Sequence, residues 1–533
     1  MQKLMIYGSR RSRKKNANMR HPLSNIFMAC LVFSPLIVSD QELAGQSDSA
    51  KTVPSVFSYR AYSESEIEAA MRRPLTLEDC IRIALKKNIS LRLAEGDLAK
   101  ADASHSGSYG QFLPLFTLEG AKLNEQDETD TTRNATAISP SGLAETNTGN
   151  QTTLIGSVQL YIPTGATLQY SYDFLRDVQS PLGELAEKSD ARSYSVSLTQ
   201  PLLRGAGLTV ARNPVLSAGY DRHIQEKQLL NTKLQTVFAV KRAYYEVLSS
   251  RELMKVNEAA VHSDSALMLA SEALIVAKLA ARRDVLSAKI RLADDRAAFI
   301  KSQNDYQLAL DVLKDAMGVP IDLPVDLRES GLEYVPAVID EQALVRGALE
   351  NNPTIQSSEI GIKLSQLQHR VAKNELLPQL DLIASYSSNL RRDLVLNRDV
   401  SRTGGWQASL NLSYSFLSLD ASAKAENARI GISQQRDRLL DQQRQIVLGV
   451  RDIVRSVYTA AEEINAIKQS IEAAEEKLAV ANAMFSLGRA SNFDITDAQE
   501  FLLKAKTQYF RSLVEYYTQL AFLESLAGQP IAP

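Results

Sequence analysis

The chain repeats itself at two fixed offsets, and this constrains its fold more than its composition does. Ala84-Leu85, Asn88 and Leu113-Pro114 recur 264 residues later as Ala348-Leu349, Asn352 and Leu377-Pro378. At the other end of each copy, Leu313, Gly318 and Pro320 recur 210 residues later as Leu523, Gly528 and Pro530. Copies that stay in register at both ends form one architecture built from two similar units, not a string of independent domains. The offsets differ by 54 residues, so copy one carries an insertion of that length in its middle. Repeat one is read as residues 75–320 and repeat two as 341–533, joined by a linker at 321–340.

The charge pattern separates a leader from the rest. The net charge of −2 is near neutral, and basic residues are spread through the body of the chain, so a nucleic-acid surface is not indicated. Arg10, Arg11, Arg13, Lys14, Lys15 and Arg20 precede an apolar run from Ile26 to Val38. That run is too short to span a bilayer and suits a signal-peptide core. Residues 1–39 are therefore read as an export signal and 40–74 as a linker. Cys30 is not read as a lipidation site, because Phe27 stands where a leucine is expected and the apolar run continues past the cysteine. With the leader removed, Cys80 is the one remaining cysteine, and it reads as a small buried apolar residue.

Very long helices follow from what the chain omits. Tyr220 to Met317 contains neither Gly nor Pro, and Gln379 to Gln529 contains no Pro. In copy two, apolar residues step by four and three through Ile446, Val450, Ile453, Val457, Ala460, Ile464, Ile467, Ile471, Ala474, Leu478, Ala481 and Phe485, a heptad seam. Copy one keeps half of this seam (Val240, Val247, Met254, Val261, Met268, Ile275), alternating with Ala243, Ser250, Asn257, Asp264 and Ser271. A helix from Ala421 to Leu487 spans about 100 Å, which predicts an elongated molecule.

Each copy then switches period at its Leu-Pro. Proline disfavours helix in the residue before it, so helices are expected to stop near Phe112 and Leu376. Trp406, Ala408, Leu410, Leu412, Tyr414 and Phe416 alternate with small polar residues, as do Leu168, Tyr170, Tyr172 and Phe174, and again Tyr194, Val196 and Leu198. Strands of about ten residues with one apolar, aromatic face and one polar face fit a transmembrane barrel. Tyr170, Tyr172, Tyr194, Trp406 and Tyr414 are the expected membrane-facing aromatics. The inserted residues fall within 124–190: a polar loop from Asn124 to Gln151, then a hairpin around Pro163-Thr164-Gly165. The protomer thus offers four strands, or six if that hairpin enters the barrel. Neither number closes a wide pore alone, so self-association is expected.

The chain resembles the TolC-like outer membrane efflux protein family over Leu75 to about Ala532. The resemblance rests on the duplication, on Leu75-Thr-Leu-Glu-Asp-Cys-Ile-Arg-Ile-Ala-Leu85 and on the Leu-Pro switches. It rests further on Leu198-Thr-Gln-Pro-Leu-Leu-Arg-Gly205 and on Phe485-Ser-Leu-Gly-Arg-Ala-Ser-Asn-Phe-Asp-Ile-Thr-Asp497. It implies an α+β membrane protein: a duplicated unit giving a long antiparallel helical periplasmic tunnel, the α-barrel, and an outer-membrane β-barrel shared between protomers of a homotrimer. It also implies a passive conduit for small molecules or polypeptides in a tripartite efflux or type I secretion assembly. The implied partners are a periplasmic adaptor, an inner-membrane transporter and outer membrane lipid.

By the same resemblance, Asp494 and Asp497 ring the periplasmic entrance; three residues apart, they share a helical face. Lys278, Leu279 and Ala280 on tip one, and Gly488, Ala490 and Ser491 on tip two, are the adaptor-docking candidates. Lys278 stands where the family carries a second glycine. Ala490 and Phe485 replace an arginine and a tyrosine of the family's gate, so a rearranged latch through Arg282, Arg283, Asp284 and Arg489 is expected. No catalytic residue, metal site or cofactor is expected: there is no phosphate-binding glycine loop and no HExxH motif. His223, His262 and His369 read as helix-face residues. The competing reading is a periplasmic coiled-coil adaptor or scaffold without a pore, which leaves the alternating strands unexplained.

Overall fold

The computed structural model describes residues 60–129, 145–180, 187–276, 282–328, 332–416, 418–487 and 489–528. The leader 1–39 with Cys30, most of the linker 40–74, the tip residues Lys278, Leu279, Ala280 and Gly488, and the side chain of Asp284 lie outside the described residues.

Repeat one opens with α1 (Glu64–Ala70), α2 (Leu77–Lys87) and α3 (Ile89–Ser108), and a 3-10 turn then leads into the strands. These are β1 (Leu115–Thr129), β2 (Glu145–Tyr161), β3 (Thr167–Ser180) and β4 (Glu187–Pro201). The short α4 (Leu208–Ala211), the 64-residue α5 (Asn213–Val276) and the returning α6 (Arg282–Met317) complete it. Repeat two runs α7 (Glu341–Asn351), α8 (Pro353–Asn374), β5 (Gln379–Asp393), β6 (Arg398–Ser413), the 68-residue α9 (Leu419–Ser486) and α10 (Asn492–Ala527). The duplication is literal: α7 repeats α2 at the 264 offset, and α10 repeats α6 at the 210 offset, boundary for boundary.

One contact is duplicated with the sequence. Asn88 ends α2 and opens α3, its Oδ1 accepting from the Leu91 N–H at 3.2 Å while its Nδ2 donates to the Ala316 carbonyl at 2.9 Å. Asn352 does the same between α7 and α8, accepting from the Thr354 N–H and donating to the Leu526 carbonyl. Pro353 at the first position of α8 lacks only an N–H that has no helical partner there. The recurring asparagine is a clasp holding a helix break against the end of a returning helix. Both returning helices stop at a left-handed glycine, Gly318 (φ +70°) and Gly528 (φ +64°).

The core lies where these ends meet α5 and α9, with Ile81, Val240, Leu313, Val450, Ile464 and Leu513 fully enclosed. Cys80 belongs to it, and burial pushes its thiol up to about 12, so it packs rather than reacts. The inter-repeat segment is tied across the core: the Tyr516 hydroxyl donates to the Val335 carbonyl and accepts from the Ala337 N–H.

In the seam of copy two Val450, Ile453, Val457, Ala460, Ile464, Ala474 and Ala481 are buried, while Ile446, Ile467, Ile471, Leu478 and Phe485 are half-buried. In copy one Val240, Ala243 and Val247 are buried as expected, but farther along the polar positions Ser250, Asp264 and Ser271 are buried while Met254, Val261, Met268 and Ile275 are half-buried. The reason is that α5 is an inner helix of the wall, packed on α6 and α10 in one half and on α3 and α8 in the other. Its small polar positions lie in the tight contacts.

The sheet has six antiparallel strands in chain order, β1 to β6. The inserted hairpin, β2 and β3, sits inside it between β1 and β4. The expected loop from Asn124 to Gln151 is corrected at its two ends, where the β1–β2 ladder runs unbroken from Leu115↔Gln159 to Thr129↔Glu145; 130–144 lie outside the described residues. Backbone pairing needs no apolar side chain, so a polar stretch prolongs a hairpin wherever both its faces meet water. Among the described residues, no helix is long and apolar enough to cross a membrane.

Candidate functional site

Two places in this fold carry chemistry: the turns between the long helices and the two faces of the sheet. At the second tip, α9 ends and Ser491 caps α10. Asp494 Oδ2 accepts both the Ser491 N–H at 2.7 Å and its hydroxyl at 2.8 Å. The Ser491 N–H, helped by the hydroxyl, holds the Asp494 carboxyl below its ordinary range, so it remains ionised into mild acid. One turn on, Asp497 Oδ2 receives the Lys477 ammonium at 2.6 Å, and that ammonium also sits 4.0 Å from the Phe501 ring centroid. The expected latch pairs Arg282, Arg283 or Arg489 with Asp494, Asp497 or Asp284, and the Asp284 side chain lies outside the described residues.

Arg282 and Arg283 open α6 and are exposed. Two cations at a helix N-terminus oppose the macrodipole, so they are poorly explained by helix stability alone. Arg489 and Ala490 lie in the turn, both N–H groups donating to the Met484 carbonyl.

The second tip is fastened to α5. Asn492 Nδ2 donates to the Ser271 hydroxyl at 2.6 Å in a buried contact, and Gln499 Nε2 donates to the Ser263 hydroxyl. Leu267, Ala481, Ile495 and Ala498 pack beside them, with Leu478 and Phe485 at the margin.

Just above lies a group that sequence reasoning passed over. Asp264 on α5 is 2% exposed and Asp295 on α6 is 7% exposed. A single guanidinium, Arg291, stands 3.6 Å from Asp264, 3.5 Å from Asp295 and 3.7 Å from Glu500 of α10. One cation among three carboxylates leaves charge uncompensated. Burial, and then the Asp295 carboxyl beside it, pushes Asp264 up to about 7. The available signal was the charged residue at a seam position that is apolar in the other copy.

The sheet has two distinct faces. Phe116, Val158, Tyr170, Val196, Tyr386 and Trp406 form one row across all six strands, followed by a row holding Leu118, Tyr172 and Tyr194. Four expected aromatics, Tyr170, Tyr172, Tyr194 and Trp406, thus share one face, and Trp406 is 81% exposed. Tyr414 lies one residue past β6, edge-on to Phe416. The opposite face is small and hydroxylic. Ser171 and Ser195 pair at 2.8 Å, Thr117 and Ser157 pair at 2.6 Å, and Ser193 donates to Asp173.

Residues 344–529 match the family described as outer membrane efflux protein. The chain is 23% identical over 354 residues to the outer membrane protein TolC of Escherichia coli K12, an alignment covering 64% of this chain and 70% of TolC. It is 28% identical over 241 residues to the protein CyaE of Bordetella pertussis, covering 44% of this chain and 49% of CyaE. The crystal structure of the outer membrane protein VceC of Vibrio cholerae superposes with a TM-score of 0.61 at 17% identity, covering 86% of this chain and 97% of VceC.

Residues 344–529 form an outer membrane efflux protein domain, and the chain as a whole shares the fold of VceC. Its place is the outer membrane, and its long helices and six-stranded sheet follow the architecture of the solved outer membrane protein VceC. The matched stretch holds α9, α10 and the second tip, including Asp494 and Asp497. Asp264, Asp295 and Arg291 lie outside it, in repeat one.

Proposed function

We propose that the chain is one subunit of a closed ring, most simply a trimer, forming a passive channel across the outer membrane. The observation that carries this reading is that its unpaired flanks coincide. β1 is one edge of the sheet and β6 the other. The β1 edge continues into α3, and that flank also presents Leu286, Ile290, Ile300, Leu308 and Val312 of α6 to solvent. The β6 edge continues into α9, which exposes Leu440, Leu448, Tyr458, Val480 and Met484.

A single rotation bringing β6 of one copy to β1 of the next closes the sheet and covers both helical flanks. An even strand number makes that new pairing antiparallel. Open edges are an aggregation hazard that closure removes. Three copies of a six-stranded sheet give eighteen strands, a number that leaves an aqueous lumen. The aromatic face then meets lipid and the hydroxyl face lines the pore.

In this ring the second tips point toward the periplasmic opening, and Asp494 and Asp497 of each copy form a carboxylate ring that favours cations. The tip residues, with Arg282, Arg283 and Arg489, dock a periplasmic adaptor and latch the opening. An inner-membrane transporter supplies the energy, and the cargo is small molecules or polypeptides. A coiled-coil scaffold gives no role to a six-stranded sheet with an exposed aromatic face.

In planar bilayers, Asp494→Asn with Asp497→Asn is expected to lower cation-over-anion permeability several-fold. Unchanged selectivity places these carboxylates away from the constriction. In the same assay Arg282→Gln with Arg283→Gln is expected to raise the resting conductance, and an unchanged conductance removes the arginines from the latch.

A further inference from the structure

The apolar face of the sheet ends in a belt of cations. At the end remote from the helices, Arg192 and Arg402 share one cross-strand row with Phe174, and Lys122, Arg176, Asp190 and Arg392 share the next. Lys188 lies one step farther on the same face. Among the described residues, the acidic positions on this face are Asp190, Asp399 opposite Arg392 and, farther out on β1, Glu128.

The belt is organised rather than scattered. Asp190 is buried, and Arg176 grips it with two bonds, Nε to Oδ1 at 2.9 Å and Nη2 to Oδ2 at 3.2 Å. Arg192 stands 3.9 Å from the same carboxylate. Both guanidinium groups lie over the Phe174 ring, at 5.7 and 5.9 Å, with about half of each side chain left exposed. The geometry holds two forks side by side at the edge of an apolar surface, each with donors unspent.

Height fixes what these forks meet. From Leu412 to Arg402 on β6 is about 34 Å along the strand, or about 24 Å along the membrane normal at a tilt near 45°. That equals the apolar band of a transmembrane barrel, about 25 Å. The belt therefore sits at the outer interface, above the Tyr172 and Trp406 rows. Six cations (Lys122, Arg176, Lys188, Arg192, Arg392 and Arg402) outnumber the carboxylates on this face, so the belt carries a positive field that attracts an anion. A phosphate fits guanidinium forks in bidentate fashion, and a lipid bearing one places its acyl chains on the aromatic face below.

We propose that this belt binds the phosphate groups of an outer-leaflet glycolipid. The inference rests on the barrel reading, because it requires the aromatic face to meet lipid.

The test reconstitutes the full-length protein in phosphatidylcholine nanodiscs with or without bisphosphorylated lipid A, and reads bound lipid by native mass spectrometry and the melting temperature. The variant combines Lys122→Gln, Arg192→Gln and Arg402→Gln, which leaves the Arg176–Asp190 pair intact. Wild type is expected to retain lipid A and melt higher with it. The variant is expected to hold it at least about tenfold more weakly, the change associated with losing one charged hydrogen bond. Dephosphorylated lipid A and free inorganic phosphate are expected to leave the melting temperature unchanged; a rise with either overturns the lipid-phosphate assignment. Equal retention by variant and wild type overturns the site alone. Failure of wild type to enter nanodiscs as an oligomer overturns the barrel reading together with the site.

Discussion

Gly318→Ala is expected to destabilise the folded protein by roughly 3–5 kcal/mol and to strip most of it from the outer membrane. Two costs combine. At φ +70° an alanine pays about 1–2 kcal/mol for left-handed geometry. Its Cβ also falls 2.5 Å from the Lys87 carbonyl oxygen and 2.7 Å from the Asn88 Cα, which are main-chain atoms that cannot rotate away. The collision lands on the asparagine clasp itself, so the Asn88 bond to Ala316 is strained with it. Gly528 is the internal control. Its Cβ meets Asn351 Cβ at 3.3 Å, a contact relieved by a shift of a few tenths of an ångström. Gly528→Ala is therefore expected to cost about 1–2 kcal/mol, mostly conformational. Thermal melting of both variants, with membrane abundance, checks the order; equal losses contradict the clasp account.

Asp264→Asn is expected to abolish much of the pH dependence of stability between about pH 4 and pH 7. Asp264 is raised from the ordinary carboxylate value of 3.8 to about 7 in the folded chain. A group raised on folding binds its proton more tightly in the native state. Its stabilising effect is complete below the unfolded value and is lost as the pH rises through the folded one. The wall around Asp264 is thus tightest in mild acid and loosens toward pH 8, by at most about 1.4 kcal/mol per pH unit for one proton. The groups that face it act in both directions. Asp295 opposes its ionisation, while Arg291 and Gln499 favour it, and Glu500 competes for the same guanidinium. Wild type should melt lower at pH 8 than at pH 5.5, and Asp264→Asn should show a clearly smaller difference. An unaltered slope in the variant assigns the pH response to other groups.

The long helices were legible because they are defined by omission and period. Missing Gly and Pro across 220–317, and the seam from Ile446 to Phe485, admit few other structures. The helix-to-strand switches were legible for the same local reason, a proline after Leu113 and after Leu377. The extent of β1 and β2 was not. Asn124 to Thr129 and Glu145 to Gln151 read as loop because ladder hydrogen bonds leave no mark on side-chain chemistry. The partners of Asp494 and Asp497 were also hidden. Ser491 forms a capping box visible in sequence, but Lys477 reaches Asp497 from the other arm of the hairpin, 20 residues away in the chain. The Asp264 cluster needed three helices in place before its charges counted against one another.

The proposed ring requires that the two flanks of one chain complete each other. The native mass of the particle extracted from outer membranes, corrected for bound detergent, tests it most directly. A trimeric particle is the result this account predicts. A monomer or dimer recovered from the soluble periplasmic fraction would contradict it.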